Sequence, residues 1–201
     1  MTRPGYTRSL LFAPALGIHA LFAVAVSVPL ALLAVGAQEP PDPSSQTEYQ
    51  VKAAYIFNFA KFVDWPSEAF AEENAPFVVT AVGDGPVGAR IEKDLPSKTV
   101  KGRRIEVRTA TGVDDLGPCH ILFVSRSAEA TWPQIRKATL GKAVLTVSDI
   151  EGFCRRCGVI GFFFEDRKVL FEINPEAGKA QQLGISAKLL SLAVIVKGDC
   201  E

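Results

Sequence analysis

Residues 144–174 read VLTVSDIEGFCRRCGVIGFFFEDRKVLFEIN, and their patterning decides the fold class. The opening run Val144-Leu145-Thr146-Val147 is short and rich in β-branched residues, which suits a buried strand better than a helix. Ser148-Asp149 break it. After a loop carrying Cys154-Arg155-Arg156-Cys157, two extended runs, 158–164 and 168–174, flank the charged Glu165-Asp166-Arg167. A few polar residues between two strand-like runs are hairpin chemistry. In the second run Val169, Phe171 and Ile173 alternate with Lys168, Leu170, Glu172 and Asn174, which predicts a strand with one buried face.

Upstream, CHILFVS at 119–125 is the continuous apolar run of a central parallel strand. Residues 132–140 predict a helix, capped by Ser127 or Thr131 and closed by Gly141, that returns the chain to the strand at Val144. Strand, helix, strand is the βαβ pattern. FVVTAV at 77–82 predicts another strand, 87–95 a helix and 104–108 a further strand. Downstream, 175–182 predicts a helix with Pro175 at its first position, where the missing N–H costs nothing. Gly184 ends it, 185–192 predicts a second helix, and 193–196 a last strand or an extension. The expected fold is α/β, a three-layer sandwich with a mainly parallel sheet and one antiparallel hairpin.

Thr47-Glu48-Tyr49-Gln50 fits a capping box and predicts a helix start at Thr47. Val51, Tyr55, Ile56, Phe59, Phe62 and Val63 give that helix a wide apolar face, and Ala53, Phe57 and Ala60 a narrower second stripe. Trp65-Pro66 ends it, because proline disfavours helical geometry in the preceding residue.

With 201 residues, 48% of them hydrophobic, the chain is long and apolar enough for one globular core. Residues 1–37 stand apart: Arg3 and Arg8 precede a long apolar run, and Val35-Gly36-Ala37 supplies small residues for cleavage. This is the pattern of an export signal. The competing reading is an uncleaved membrane anchor, since the run is long enough to span a bilayer. Pro14, His19 and Pro29 interrupt it, and the Pro-rich polar stretch 38–46 reads as a linker, which favours removal. The expected organisation is a signal at 1–37, a linker at 38–46 and a folded domain at 47–201. The chain has 22 basic and 22 acidic residues, so losing Arg3 and Arg8 leaves a slight acidic excess. That excludes the strong positive field needed for nucleic acid.

All four cysteines, Cys119, Cys154, Cys157 and Cys200, follow the signal. An even count in an oxidising compartment favours disulfides, with three pairings open. The spacing suggests Cys154 with Cys157 and leaves Cys119 with Cys200. Arg155 and Arg156 between the first pair would favour thiolate, as a redox-active CxxC requires. However, a glycine and a β-rich run follow at once, where a thioredoxin-like site would open a helix, so a structural clamp is the better reading. His120 is the one histidine after the signal, and adjacent strand residues face opposite ways, so Cys119 and His120 do not form a nucleophile pair. Too few ligands remain for zinc. Gly83-Asp84-Gly85-Pro86-Val87-Gly88 is formally G-x-G-x-x-G after a strand, with Glu106 about twenty residues on. Pro86 removes a backbone N–H and Asp84 repels a dianion, so the glycines read as a tight βα turn. A small-ligand crevice at that strand end stays open. No cofactor and no metal are assigned.

Several blocks together resemble the YfiR-like family of exported bacterial proteins: KAAYIFNFAKFVDWP at 52–66, VVTAVGDGPVG at 78–88, CHILFVS, VLTVSDIEGF at 144–153, FEIN at 171–174 and GISAKLLSLAVIV at 184–196. The resemblance runs in order through nearly all of the chain after the signal. It implies a periplasmic, non-enzymatic α/β domain that binds the periplasmic part of an inner-membrane diguanylate cyclase and represses it. An outer-membrane lipoprotein would sequester the repressor, homodimers are expected, and the output would be cyclic-di-GMP signalling and biofilm formation. Cys119 matches a family cysteine whose strand partner is here Thr80, so that bond cannot form. Cys154 and Cys157 fall in the region of the family's second disulfide, implying a redox-sensitive clamp. Glu172 matches an acidic position linked to repression, and with Phe171 and Asn174 it marks an expected partner surface, to which Phe57 and Phe162 would add apolar anchors. The alternatives are a periplasmic small-ligand-binding domain using the 83–88 turn and a CxxC thiol oxidoreductase.

Overall fold

The computed structural model describes residues 43–198 and Cys200; the expected export signal and the first half of the expected linker lie outside them. Helix α1 (Pro43–Phe62) begins a turn earlier than the capping box predicts. Proline suits the first turn of a helix because its missing N–H has no partner there in any case, so Pro43 can open the helix and Thr47 falls inside it. The chain continues through β1 (Val63–Asp64), a 3-10 turn at Ser67–Ala69, β2 (Phe77–Val82), α2 (Pro86–Asp94), β3 (Thr99–Val100), β4 (Arg103–Ala110) and β5 (Ile121–Val124). A second 3-10 segment, Arg126–Thr131, leads into α3 (Trp132–Thr139) and β6 (Leu145–Ser148). The hairpin is β7 (Ile160–Glu165) and β8 (Lys168–Ile173). After it come α4 (Pro175–Ala180), β9 (Gly184–Ile185), α5 (Ala187–Leu190) and β10 (Val194–Ile195).

The fold is mixed α/β. An eight-stranded sheet has the order β10-β8-β7-β6-β5-β2-β4-β3, and β1 with β9 forms a separate two-stranded sheet. β2 lies parallel between β4 and β5, β5 parallel to β6, β6 to β7, and β10 to β8. The hairpin β7–β8 is antiparallel, pairing Phe162 with Phe171, as is the short β3–β4 ladder. The helix expected at 185–192 contracts to α5, because Ile185 is taken up in pairing with Val63 and Ser186 then caps the helix through the Leu189 N–H.

Strand alternation sends side chains to two cores. Val79, Ala81, Ile121 and Phe123 join Ile56 and Phe59 of α1 and Ile91 of α2 in one cluster; Val82, Leu122 and Val124 join Trp132, Ile135, Ile150 and Phe153 in the other. α1 is seated by rings: Phe59 lies 5.1 Å from Phe171 and 5.8 Å from Phe162, and Tyr55 5.4 Å from Phe171, centroid to centroid. A charged tie completes the seat, with Lys52 Nζ 2.7 Å from Glu48 and 3.3 Å from Asp149 at the end of β6. In the second core Phe153 packs on Trp132 at 4.4 Å, and a Cβ on Gly158 would overlap the Phe153 ring. Gly158→Ala is therefore expected to cost about 1–3 kcal/mol in urea unfolding, as overpacking of a filled core does. A change below about 0.5 kcal/mol, the range of a neutral surface substitution, would contradict this packing.

Candidate functional site

The loop between β6 and β7, the end of β8 and the C-terminal tail meet at Asn174. This side chain is fully buried. Its Oδ1 accepts from the Ala177 N–H at 3.0 Å, capping α4, while Nδ2 donates to the Cys154 carbonyl at 2.9 Å and lies 3.4 Å from Cys200 Sγ. Asn before Pro is a natural helix N-cap, so the capping half of this role follows from Asn174-Pro175. Around it the Trp132 indole N–H donates to the Arg156 carbonyl at 3.0 Å, Arg156 pairs with Glu129 at 3.0 Å, and Arg136 donates to the Cys200 carbonyl at 3.2 Å.

Cys157 is joined to Cys200, 43 positions further along the sequence, with 5.4 Å between their Cα atoms. This corrects both expected pairings, and leaves Cys119 and Cys154 as free thiols. The reason at the CxxC is direction. Cys154 turns inward and is wholly buried, its Sγ 3.5 Å from the carbonyls of Val159 and Glu172, whereas Cys157, with φ of 64°, ends the turn and faces the tail. Cys119 precedes β5, three inter-strand steps from β8, and three steps of the usual spacing come to roughly 14 Å. That is beyond the Cα separation a disulfide spans. A 43-residue loop gives the bond about 4 kcal/mol in the chain-entropy account.

Burial disfavours the thiolate form at both free cysteines. Burial, reinforced by the Glu172 carboxylate, pushes the Cys154 thiol far above its ordinary range. Burial raises Cys119 to about 11, with the Thr80 hydroxyl and Arg108 pulling slightly the other way. Thr80 thus stands beside Cys119, and its buried hydroxyl makes no other hydrogen bond. Arg155 and Arg156 are exposed and do not activate the CxxC. His120 is structural: Nδ1 accepts from the Val78 N–H at 2.9 Å, Nε2–H donates to the Ala69 carbonyl at 3.1 Å, and the ring stacks on Phe70 and Phe77. Among the described residues no group of three or more His, Cys, Asp or Glu is placed to hold a metal ion.

The 83–88 turn follows the end of β2, whose neighbours are β4 on one side and β5 on the other, the place where open α/β sheets bind ligands. Here it is filled. Ser125 and Ser127 donate to the Asp84 carbonyl at 2.8 and 2.7 Å, and a Cβ at Gly83 or Gly85 would meet those same hydroxyls at 2.7 Å. The glycines serve close packing against the 126–131 segment.

Of the expected partner-surface residues, Phe162, Phe171 and Asn174 are buried and in this state pack the interior. Glu172 is half-buried; its carboxylate lies across Gly161 and accepts from the Cys154 N–H at 3.4 Å. Phe57 is half-buried beneath two ammonium groups, Lys61 at 4.0 Å and Lys98 at 5.1 Å from the ring. The exposed apolar side chains lie beside these residues: Phe164 at the hairpin end, and Leu192, Val194 and Ile195 along the sheet edge. Phe164 closes a groove of about 620 Å³ between α1 and the hairpin, with Val51, Tyr55 and Leu170 in its walls. Alternation puts Phe164 on the same face as the buried Phe162, so its exposure was not legible in the run Phe162-Phe163-Phe164; it follows from the place of Phe164 at the end of the hairpin.

An apolar sheet edge, a covalently fixed tail and two buried or half-buried free thiols are carried on a domain of mixed α/β class. The family model described as YfiR/HmsC-like matches residues 49–194, and the chain belongs to that family. No curated protein matches the chain. Family membership suggests a regulator that acts in the periplasm rather than an enzyme. Among the described residues no helix is long and apolar enough to cross a membrane.

Asn174→Ala removes a helix cap, worth about 1 kcal/mol, and strands buried partners at about 1–3 kcal/mol. Urea unfolding is expected to show a combined loss of roughly 2–4 kcal/mol. Peptide mapping of non-reduced protein should find Cys157 linked to Cys200, with the enclosed Cys154 alkylated only after unfolding and the half-buried Cys119 alkylated slowly in the folded protein. For His120, burial holds the folded pKa below the unfolded value of about 6.5. Its contribution to stability is therefore complete above pH ~6.5 and is lost as pH falls toward the depressed folded value. Melting temperatures between pH 7.5 and 5.5 should decline in the wild type and flatten in His120→Gln.

Proposed function

We propose that this protein is a periplasmic regulator that binds the periplasmic part of an inner-membrane diguanylate cyclase and represses it. Two things support the reading: the family match across 49–194, and an exposed apolar edge adjoining Glu172, the acidic position that the family resemblance singles out. Isolated exposed apolar residues need no explanation, but a run of them on a sheet edge is what interfaces use. Phe164, Leu192, Val194 and Ile195 replace the buried Phe162 and Phe171 as the contact residues, with Glu172 supplying charge at their side. Phe57 would lie outside this patch or join it at its margin.

The same reading makes cyclic-di-GMP output and biofilm formation the downstream consequence, an outer-membrane lipoprotein the competing partner, and a homodimer the working form. The Cys157–Cys200 bond is the redox input, because it fixes the tail that carries Val194 and Ile195.

Co-purification of the domain from Gln38 onward with the periplasmic region of the cyclase encoded nearest to it tests this. Binding is expected under oxidising conditions, and is expected to weaken on reduction and to fall at least tenfold in Phe164→Asp and Ile195→Asp. Both side chains are exposed, so melting temperatures should barely change. No binding in either redox state would overturn the repressor reading for that partner.

A further inference from the structure

β2 lies between β4 and β5, so the chain crosses it on leaving β4, and it does so through 111–120 without forming a helix. Parallel crossovers usually carry a helix that covers the sheet. On this face the helix is α3, whose Trp132 and Ile135 pack with Leu122 and Val124 while its last turn, at Ala138 and Thr139, reaches the strand starts. The space that a crossover helix would fill is left as a cavity of about 490 Å³ at the starts of β2, β5 and β6, the opposite end of β2 from the 83–88 turn. Val78, Leu116, Ala138 and Val144 give it apolar walls. Cys119 lines it half-buried, with the buried Thr80 hydroxyl alongside.

Charged side chains also line the cavity, two cations against one carboxylate. Arg108 gives Nε and Nη2 to Glu106 at 2.7 Å each, which leaves Nη1 with one long contact, 3.5 Å from the Pro118 carbonyl. Glu68 is exposed on the 67–69 turn. Lys142 has no side-chain partner among the described residues. The Leu145 N–H donates to the His120 carbonyl, so this lysine enters the sheet next to the strand that Cys119 precedes.

We propose that the cavity binds a small amphiphilic monocarboxylate, with the carboxylate on Lys142 and the hydrocarbon body against Val78, Leu116, Val144 and Cys119. Pockets of this size hold a ligand by apolar contact and orient it by a few polar groups. The excess of positive charge in the wall selects an anion, and an ammonium takes it as a point charge. An inorganic anion would leave the apolar walls in water, and a neutral hydrocarbon would gain nothing from Lys142. The site is separate from the β8–β10 edge and its test uses no cyclase, so it stands or falls independently of the regulator reading.

Octanoate, octylammonium and octanol would each be titrated calorimetrically against the oxidised protein, and alkylation of Cys119 by iodoacetamide timed by mass spectrometry with and without each. Octanoate is expected to bind one per chain and more tightly than the other two. At ten times its Kd, it should slow Cys119 alkylation about tenfold, as mass action requires of a protected bound form. Lys142→Gln, at an exposed position, should fold normally and weaken octanoate about three- to fivefold, the size of effect an exposed ion pair gives, while leaving octanol unchanged. Ala138→Leu, which adds bulk to the wall, should remove the protection of Cys119. Three results would each overturn the proposal: octylammonium binding as tightly as octanoate, an octanoate affinity unchanged in Lys142→Gln, or Cys119 alkylated at the free rate in saturating octanoate. Absence of any octanoate binding would overturn it as well.

Discussion

The packing of Phe59 and Tyr55 onto Phe162 and Phe171 is the contact on which the rest of this fold depends. It clamps α1 over the β7–β8 hairpin and so fixes β8 near the limit of the sheet. From that placement follow the groove between helix and hairpin, the edge that β10 covers only in part, and the position of Asn174 at the junction of loop, helix and tail. Aromatic pairs of this kind add about 0.5–1.5 kcal/mol each beyond the area they bury. Four of them sharing two rings of α1 make the hairpin a fixed part of the core.

The chemistry follows from burial. Burial disfavours the thiolate at both free cysteines, outweighing the pull of Arg108 at Cys119. His120 uses both ring nitrogens on backbone groups and has none left for a substrate. Of the large exposed apolar side chains, Leu192, Val194 and Ile195 lie along a strand edge, with Phe164 at the hairpin end, Val51 on α1 and Leu140 elsewhere. The disulfide belongs to the same description: its bond spans a long loop and holds a tail whose own ladder is two residues long.

Much of this was legible in the sequence where local pattern and burial agree. FVVTAV is β2 residue for residue, the alternation of Val169, Phe171 and Ile173 marks the buried face of β8, and Glu165-Asp166-Arg167 mark the turn of the hairpin. The start of α1 was obscured because two competing N-terminal signals lie four residues apart, and the capping box at Thr47 is the louder one. Disulfide pairing was not legible at all. It depends on where the tail docks, and nothing in the spacing of Cys154 and Cys157 reveals that one turns into the core while the other faces out. The burial of Phe162 and Phe171 was not legible for a related reason: α1 covers the face of the hairpin that carries them, and the apolar groups left accessible beside it are Phe164 and the residues of β10.

The most direct measurement is the hydrogen-exchange footprint of the oxidised domain mixed with the periplasmic region of the diguanylate cyclase encoded nearest to it. The account predicts new protection at Phe164, at 170–172 and at 192–196, with the 83–88 turn unchanged. Protection confined to that turn or to the face around Cys119, with the β8–β10 edge exchanging as in the free protein, would contradict it.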